Sequence, residues 1–128
     1  EVTGLTTLML AAINGDAEMT RLLLDAPGVA VDQVDATGST ALMDASARGY
    51  AACVKLLLAA SDLDVNRADI VGGTALMLAA GGGHISSVQL LLTAPTVDVT
   101  LCDLYGLTAR DIAAQADHPF VVRAIDDF

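Results

Sequence analysis

Residues 73–85 read GTALMLAAGGGHI. A threonine is followed by an apolar run rich in alanine, then three glycines and a histidine. Two readings compete for Gly81-Gly82-Gly83: the glycines cradle a phosphate, or they mark the end of a helix. A phosphate loop of the GxxxxGK[ST] type needs a lysine on the phosphates and a hydroxyl on the metal. AAGGGHISS contains no lysine, and no Lys or Arg stands between Arg67 and Arg110. An acidic chain without a nearby cation is a poor anion site, so the helix-end reading is preferred.

The same stretch recurs along the chain. Gly4, Gly38, Gly72 and Gly106 are spaced by 34 residues, and so are Thr6, Thr40, Thr74 and Thr108. Each threonine opens a similar run: TTLMLAA, TALMDAS, TALMLAA and TARDIAA. A second block follows as MTRLLLDA, CVKLLLAA and SVQLLLTA. A fixed period of this length signals stacked supersecondary units.

Each unit has a physical reading. The four threonines suit helix N-caps, because a hydroxyl accepts from an orphan N–H of the first turn. The run after each predicts a short helix of about nine residues. Small pairs such as Ala11-Ala12 and Ala79-Ala80 let another helix approach closely. Gly15, Gly49 and Gly83 sit where a left-handed C-terminal cap belongs. The fourth copy has Asp117 there, which tolerates that conformation less well. A second helix is expected through each LLL block, from about Asp16 to Ala26 in the first copy. Val29 to Val34, Leu63 to Arg67 and Val97 to Cys102 read as extended segments. They lead into turns at DATG, DIVG and DLYG.

This pattern resembles the ankyrin repeat family: a turn ending in Gly, a T-P-L-H-x-A helix start, a Gly cap and a leucine-rich second helix. The resemblance spans the whole chain. It implies an all-α solenoid of stacked helix–turn–helix units with hairpin-like finger loops. One unit cannot bury its apolar side alone, whereas stacked units share a continuous core. The expected organisation is one domain over residues 1–128, with repeats at about 1–34, 35–68, 69–102 and 103–128. The period exceeds the usual 33 by one residue, which falls after LLL. Thr7, Ala41, Ala75 and Ala109 replace the usual Pro. Met9, Met43, Met77 and Arg110 replace the usual His, which puts the loop bracing of that His in question. The last copy ends AIDDF, with acids where leucine stood, like a capping repeat with a polar outer face. Glu1 already falls in phase with Asp35, Asp69 and Asp103, so the first repeat is expected to expose an apolar side. That suggests a segment of a longer array, or an end-to-end contact between chains.

Composition narrows the function. Six basic residues face sixteen acidic ones, a net charge of −10. Nucleic acid and anionic membranes both call for Lys/Arg clusters, so neither is an expected partner. No apolar run reaches the roughly 18–20 residues of a membrane span. The opening EVTGLTTLML has an acid where a signal peptide needs a basic region. Cys53 and Cys102 are far apart and form no CxxC, so both read as reduced core thiols. These features predict a soluble chain in the cytoplasm or nucleus. His84 and His118 occupy the same place in repeats three and four, with no third metal ligand evident. No serine stands in a G-x-S-x-G elbow. Most carboxylates fall in turns, where Asp bonds its own backbone. The expectation is a non-enzyme with no catalytic residue, metal or cofactor.

The resemblance implies a protein or peptide partner on a concave surface of finger tips and first-helix positions. By phase, the tips are Val2, Thr3 and Leu5; Ala36, Thr37 and Ser39; Ile70, Val71 and Gly73; Leu104, Tyr105 and Leu107. The helix positions before each cap are Ile13-Asn14, Ala47-Arg48, Gly81-Gly82 and Gln115-Ala116. Turn tips are normally polar. Here Leu5, Ile70, Val71, Leu104, Tyr105 and Leu107 are apolar, which marks either a contact surface for an apolar or basic partner or side chains tucked against the neighbouring finger as packing. Asp44 stands where other copies have Leu10, Leu78 and Ile112, with Arg48 one turn on. Asp44 and Arg48 are expected either to pair with each other one turn apart, or to face the groove as a pair that reads a charged group on the partner. Gly81 and Gly82 predict a bare patch open to a bulky partner group, where Gly82→Lys would spare the fold. Asn66 in LAASDLDVN resembles an ankyrin asparagine-hydroxylation site, or else braces its own finger turn. The alternatives to groove binding are a scaffolding segment without its own partner, and an engineered binder. The differing second helices favour a natural origin.

Overall fold

A computed structural model describes residues 5–128 of the chain. The expectations for Glu1, Val2, Thr3 and Gly4 lie outside the described residues. Thr6, Thr40, Thr74 and Thr108 each cap a helix, their hydroxyls accepting from the backbone N–H three residues on. The helices they start are α1 (Thr7–Ile13), α3 (Ala41–Arg48), α5 (Ala75–Gly81) and α7 (Ala109–Gln115). The second helices are α2 (Ala17–Leu24), α4 (Ala51–Leu58), α6 (Ile85–Leu92) and α8 (Pro119–Asp126). The first helices are slightly shorter than expected, because each unwinds two residues before its left-handed residue or directly at it.

That left-handed residue sets the turn between paired helices. Gly15, Gly49, Gly83 and Asp117 have φ of 68°, 73°, 69° and 62°. In each case the next N–H reaches back to the carbonyl five residues earlier, as from Tyr50 to Ala45 and His84 to Ala79 at 3.0 Å. This closure satisfies carbonyls that the helix end leaves orphaned.

The units stack in two rows. α1, α3, α5 and α7 pack side by side, α2, α4, α6 and α8 form the second row, and each repeat ties the rows together. Ala12, Ala45, Ala79, Ala80 and Ala113 are fully buried, and their small side chains permit the close approach of the first row. Met9, Met43, Val54, Leu57, Val88, Leu91 and Val121 fill the space between rows. Each buried Leu or Val contributes about 2 kcal/mol relative to exposure. The described residues form an all-α ankyrin-type solenoid of eight helices without a strand.

Three expectations need correction. The segments before the fingers are not continuously extended. Each breaks at a turn, as at Val65-Asn66 and Val99-Thr100. Asp64 and Asp98 cause the break, because their Oδ1 atoms accept from the N–H two residues on. Cys102 is not a core thiol: Cys53 is buried, but Cys102 is exposed, and both are free. The outer face of α8 is not wholly polar. Arg110 bonds Asp126 there at 2.6 and 3.1 Å, yet Phe120 and Phe128 are also exposed.

Candidate protein-binding surface

One carboxylate builds each finger. Asp35 Oδ1 accepts from the N–H groups of Thr37 and Ser39 at 2.8 and 3.0 Å, and from the Thr37 hydroxyl. Asp69 Oδ1 accepts from Val71 and Gly73, and Asp103 Oδ1 from Tyr105 and Leu107. Burial opposes ionisation of Asp35. The Thr37 hydroxyl and the Ser39 and Thr37 N–H groups outweigh it and hold the carboxyl below its usual range. The fingers are also tied to one another, with Ile70 N–H donating to Thr37 O and Leu104 N–H to Val71 O, both at 3.0 Å.

This frame leaves the tip side chains of the third and fourth fingers unused. Ile70, Val71, Leu104 and Tyr105 are 66%, 46%, 73% and 81% exposed. They lie on two adjacent, hydrogen-bonded fingers. Leu5 and Leu107 are half-buried. Thr37 and Ala36 on the preceding finger are exposed but small.

The first-helix face continues from the fingers. Leu10 is exposed, whereas Asp44, Leu78 and Ile112 at the same position are half-buried. Asp44 Oδ1 accepts from the Ser39 hydroxyl at 3.1 Å, while Arg48 stands 4.0 Å away. Its Oδ2 is buried and has no hydrogen-bond partner. Burial pushes the Asp44 carboxyl up. The Ser39 hydroxyl opposes this, the Asp35 charge adds to it, and Arg48 offsets it only in part. Asp44 is therefore held by its own finger more than by Arg48. Arg48 is exposed and Ile13 half-buried at the ends of their helices.

Residues 1–69 match the family description "Ankyrin repeats (3 copies)", and residues 57–113 match "Ankyrin repeats (many copies)". The chain belongs to the ankyrin repeat family. Ankyrin repeats generally serve as non-enzymatic protein–protein interaction modules. No curated protein matches the chain. Among the described residues, no helix is long and apolar enough to cross a membrane.

Gly81, Gly82 and Gly83 of GTALMLAAGGGHI occupy three different places in this ankyrin stack. Gly83 is left-handed, and a Cβ on it would meet the His118 ring at 2.7 Å. Gly49 and Gly15 stand likewise beneath His84 and Tyr50. The ring after each cap therefore clamps the preceding repeat, and both histidines add a bond. His84 Nε2 reaches Ala47 O at 3.0 Å, and His118 Nε2 reaches Gly81 O at 3.2 Å. Gly81 would bring a Cβ within 3.2 Å of Ile112. Gly82 is exposed, but a Cβ there would meet the His84 ring at 2.5 Å. The expectation that Gly82→Lys leaves the fold untouched does not hold, because the new side chain would displace the His84 clamp.

Asn66 braces the next repeat rather than its own turn. Its Nδ2 donates to Thr96 O at 2.7 Å, and its Oδ1 accepts from Asp98 N–H at 2.9 Å. Asp32, in phase with it, accepts from Asp64 N–H in the same manner. Phe120 and Leu10 are among the exposed apolar residues that escaped the sequence reading. Phe120 stands in phase with Glu18, Ala52 and Ser86, so comparing the second helices column by column reveals it. Leu10 is exposed where Leu78 is half-buried, and that difference depends on neighbouring repeats rather than residue type.

Proposed function

We propose that this chain binds a protein, or an extended peptide of one, along its fingertips and the adjoining first-helix face. The observation that carries the reading is the exposure of Ile70, Val71, Leu104 and Tyr105 on two adjacent fingers. Their backbones are already satisfied by Asp69, Asp103 and the inter-finger bonds, so these side chains have no role in holding the turn. An exposed apolar patch of this kind is a contact surface, and Tyr is enriched at binding hot spots. Leu107, Leu5, Leu10 and Ile13 extend the apolar area, and Gly81 and Gly82 keep the C-terminal end of α5 low. The net charge of −10 favours a partner with basic groups beside its apolar ones. Selection of binders from a random peptide library tests this. Selected peptides should combine apolar residues with Lys or Arg and lose binding to the Ile70→Ser/Tyr105→Ser variant. Acidic binders, or binding that survives in the variant, would contradict the reading.

A second reading rests on the first repeat. Met19 is 42% exposed, whereas Cys53, Ser87 and Val121 at the same position are buried by the preceding repeat. This face suits end-to-end association of chains. Sedimentation at high salt, which screens the acidic charge, should then show a dimer that Met19→Lys abolishes. A monomer at all concentrations removes this reading.

A further inference from the structure

Two of the positions at which repeat four departs from the other three fall on one cleft. Asp117 adopts the left-handed conformation that Gly15, Gly49 and Gly83 supply elsewhere. Phe120 replaces Glu18, Ala52 and Ser86 in phase and is 76% exposed. The cleft has a volume of about 440 Å³, and Gly83, Ile85, Asp117, Pro119 and Phe120 line it. It lies where the first helix of each repeat turns into the second, at the end of the helices away from the fingers.

The chemistry of the lining is specific. The Asp117 carboxylate makes no hydrogen bond or ion pair with any described residue. Its conformation is strained for a residue with a Cβ, and strain of this kind gathers at functional sites. His118 also lines the cleft, but its Nε2 is committed to Gly81 O. The ends of α7 and α8 meet here with opposed dipoles, which leaves Asp117 as the net charge of the lining. Ile85 and Pro119 supply an apolar wall, and Phe120 offers an uncovered ring. An arginine matches all three features. Its stem lies on the wall, its guanidinium stacks on the ring, and its charge pairs with the carboxylate. Lysine lacks the planar group that stacks on an exposed ring.

We propose that this cleft is a second docking site, taking an arginine side chain of a partner protein independently of the fingertips. The test is an amide-resolved NMR titration with N-acetyl-arginine methylamide, and with the citrulline analogue, which keeps the shape but not the charge. The arginine probe should shift the amides of Gly83, Ile85, Phe120 and Val121 saturably. The citrulline probe, and the Asp117→Asn and Phe120→Ser variants, should each weaken binding about fivefold. Asn tolerates the left-handed conformation, so Asp117→Asn removes the charge without disturbing the turn. Tyr105→Ser, at the fingertips, should leave the titration unchanged. The proposal falls if no saturable shift appears at these amides. It also falls if citrulline binds as well as arginine, or if Asp117→Asn binds as tightly as wild type.

Discussion

The second and third fingers share one backbone and differ at their tips. Asp35 and Asp69 occupy the same position and receive the same pair of N–H bonds. Gly38 and Gly72 are left-handed, at φ 78° and 81°. Above this common frame stand Ala36 and Thr37 on one finger, and Ile70 and Val71 on the other. The frame is built from an acid and a glycine, so the tip is free to carry any side chain. On the proposed reading, conformation and recognition fall to different residues of the same turn. If that division holds, frame substitutions cost stability, and tip substitutions cost binding alone.

The largest effect should come from the glycines. A Cβ on Gly72 would stand 3.0 Å from the Asp103 backbone, while nothing lies within 4 Å of one on Gly106. Both are left-handed, so both alanine variants incur about 1–2 kcal/mol for the conformation. Gly72→Ala should cost at least about 1 kcal/mol more, because backbone cannot step aside as a side chain can. Urea unfolding of the two variants measures the difference. Equal losses would mean that the fingers do not support one another.

Next come the acids. Asp35→Ala and Asp103→Ala each leave two finger N–H groups without their acceptor and should cost about 1–2 kcal/mol. Urea midpoints that fall by similar amounts would show that the two frames are equivalent. A much smaller loss for Asp103 would break the comparison, and with it the view that tip identity is independent of the frame.

Asp44 sharpens the comparison from the helix side, because burial disfavours its charge. Its Oδ2 has no partner, so Asp44→Leu should stabilise the protein by about 1 kcal/mol. The sign of the pH dependence follows from the raised carboxyl. The folded state holds this proton more tightly than the unfolded state, whose value is close to the ordinary 3.8. The proton therefore favours the fold below that range, and the benefit disappears as pH rises through the higher folded value. Urea unfolding of wild type and Asp44→Asn should show a gap that opens over this window and stays constant to neutral pH. A gap that narrows as pH rises would reverse the assignment.

The smallest effect is expected at the tips. Ala36→Ile with Thr37→Val transplants the third tip onto the second finger and should change stability by less than about 0.5 kcal/mol. A larger loss would identify the Thr37 hydroxyl bond to Asp35 as part of the frame.

How much of this was legible depends on the range of the interaction. The Thr6, Thr40, Thr74 and Thr108 caps and the left-handed Gly15, Gly49 and Gly83 are local, and the 34-residue phase located each of them. Asp117 was legible too, because the turn demands the same conformation whatever residue fills it. The clamp of His84 on Gly49 and Ala47 crosses between repeats, and phase alone carries no such distance. The occupied space beside Gly82 was hidden by the direction of the His84 ring two residues on, and the same limit hid the partner of Asn66. It also misplaced Cys102, whose position beside an Asp98-centred turn puts it at the surface. At the fingertips, the apolar residues were legible from composition. The reason they need not be apolar, a frame completed by Asp69 and Asp103, required the hydrogen bonds.

We propose that the exposed Ile70, Val71, Leu104 and Tyr105 side chains recognise a partner and contribute nothing to the fold. Paired urea unfolding and quantitative partner capture on the Ile70→Ser/Tyr105→Ser variant test it most directly. The account predicts a stability within about 0.5 kcal/mol of wild type, together with loss of a partner that wild type captures. A variant that keeps its partner, or one whose stability collapses, would show that these residues pack the fingers together instead.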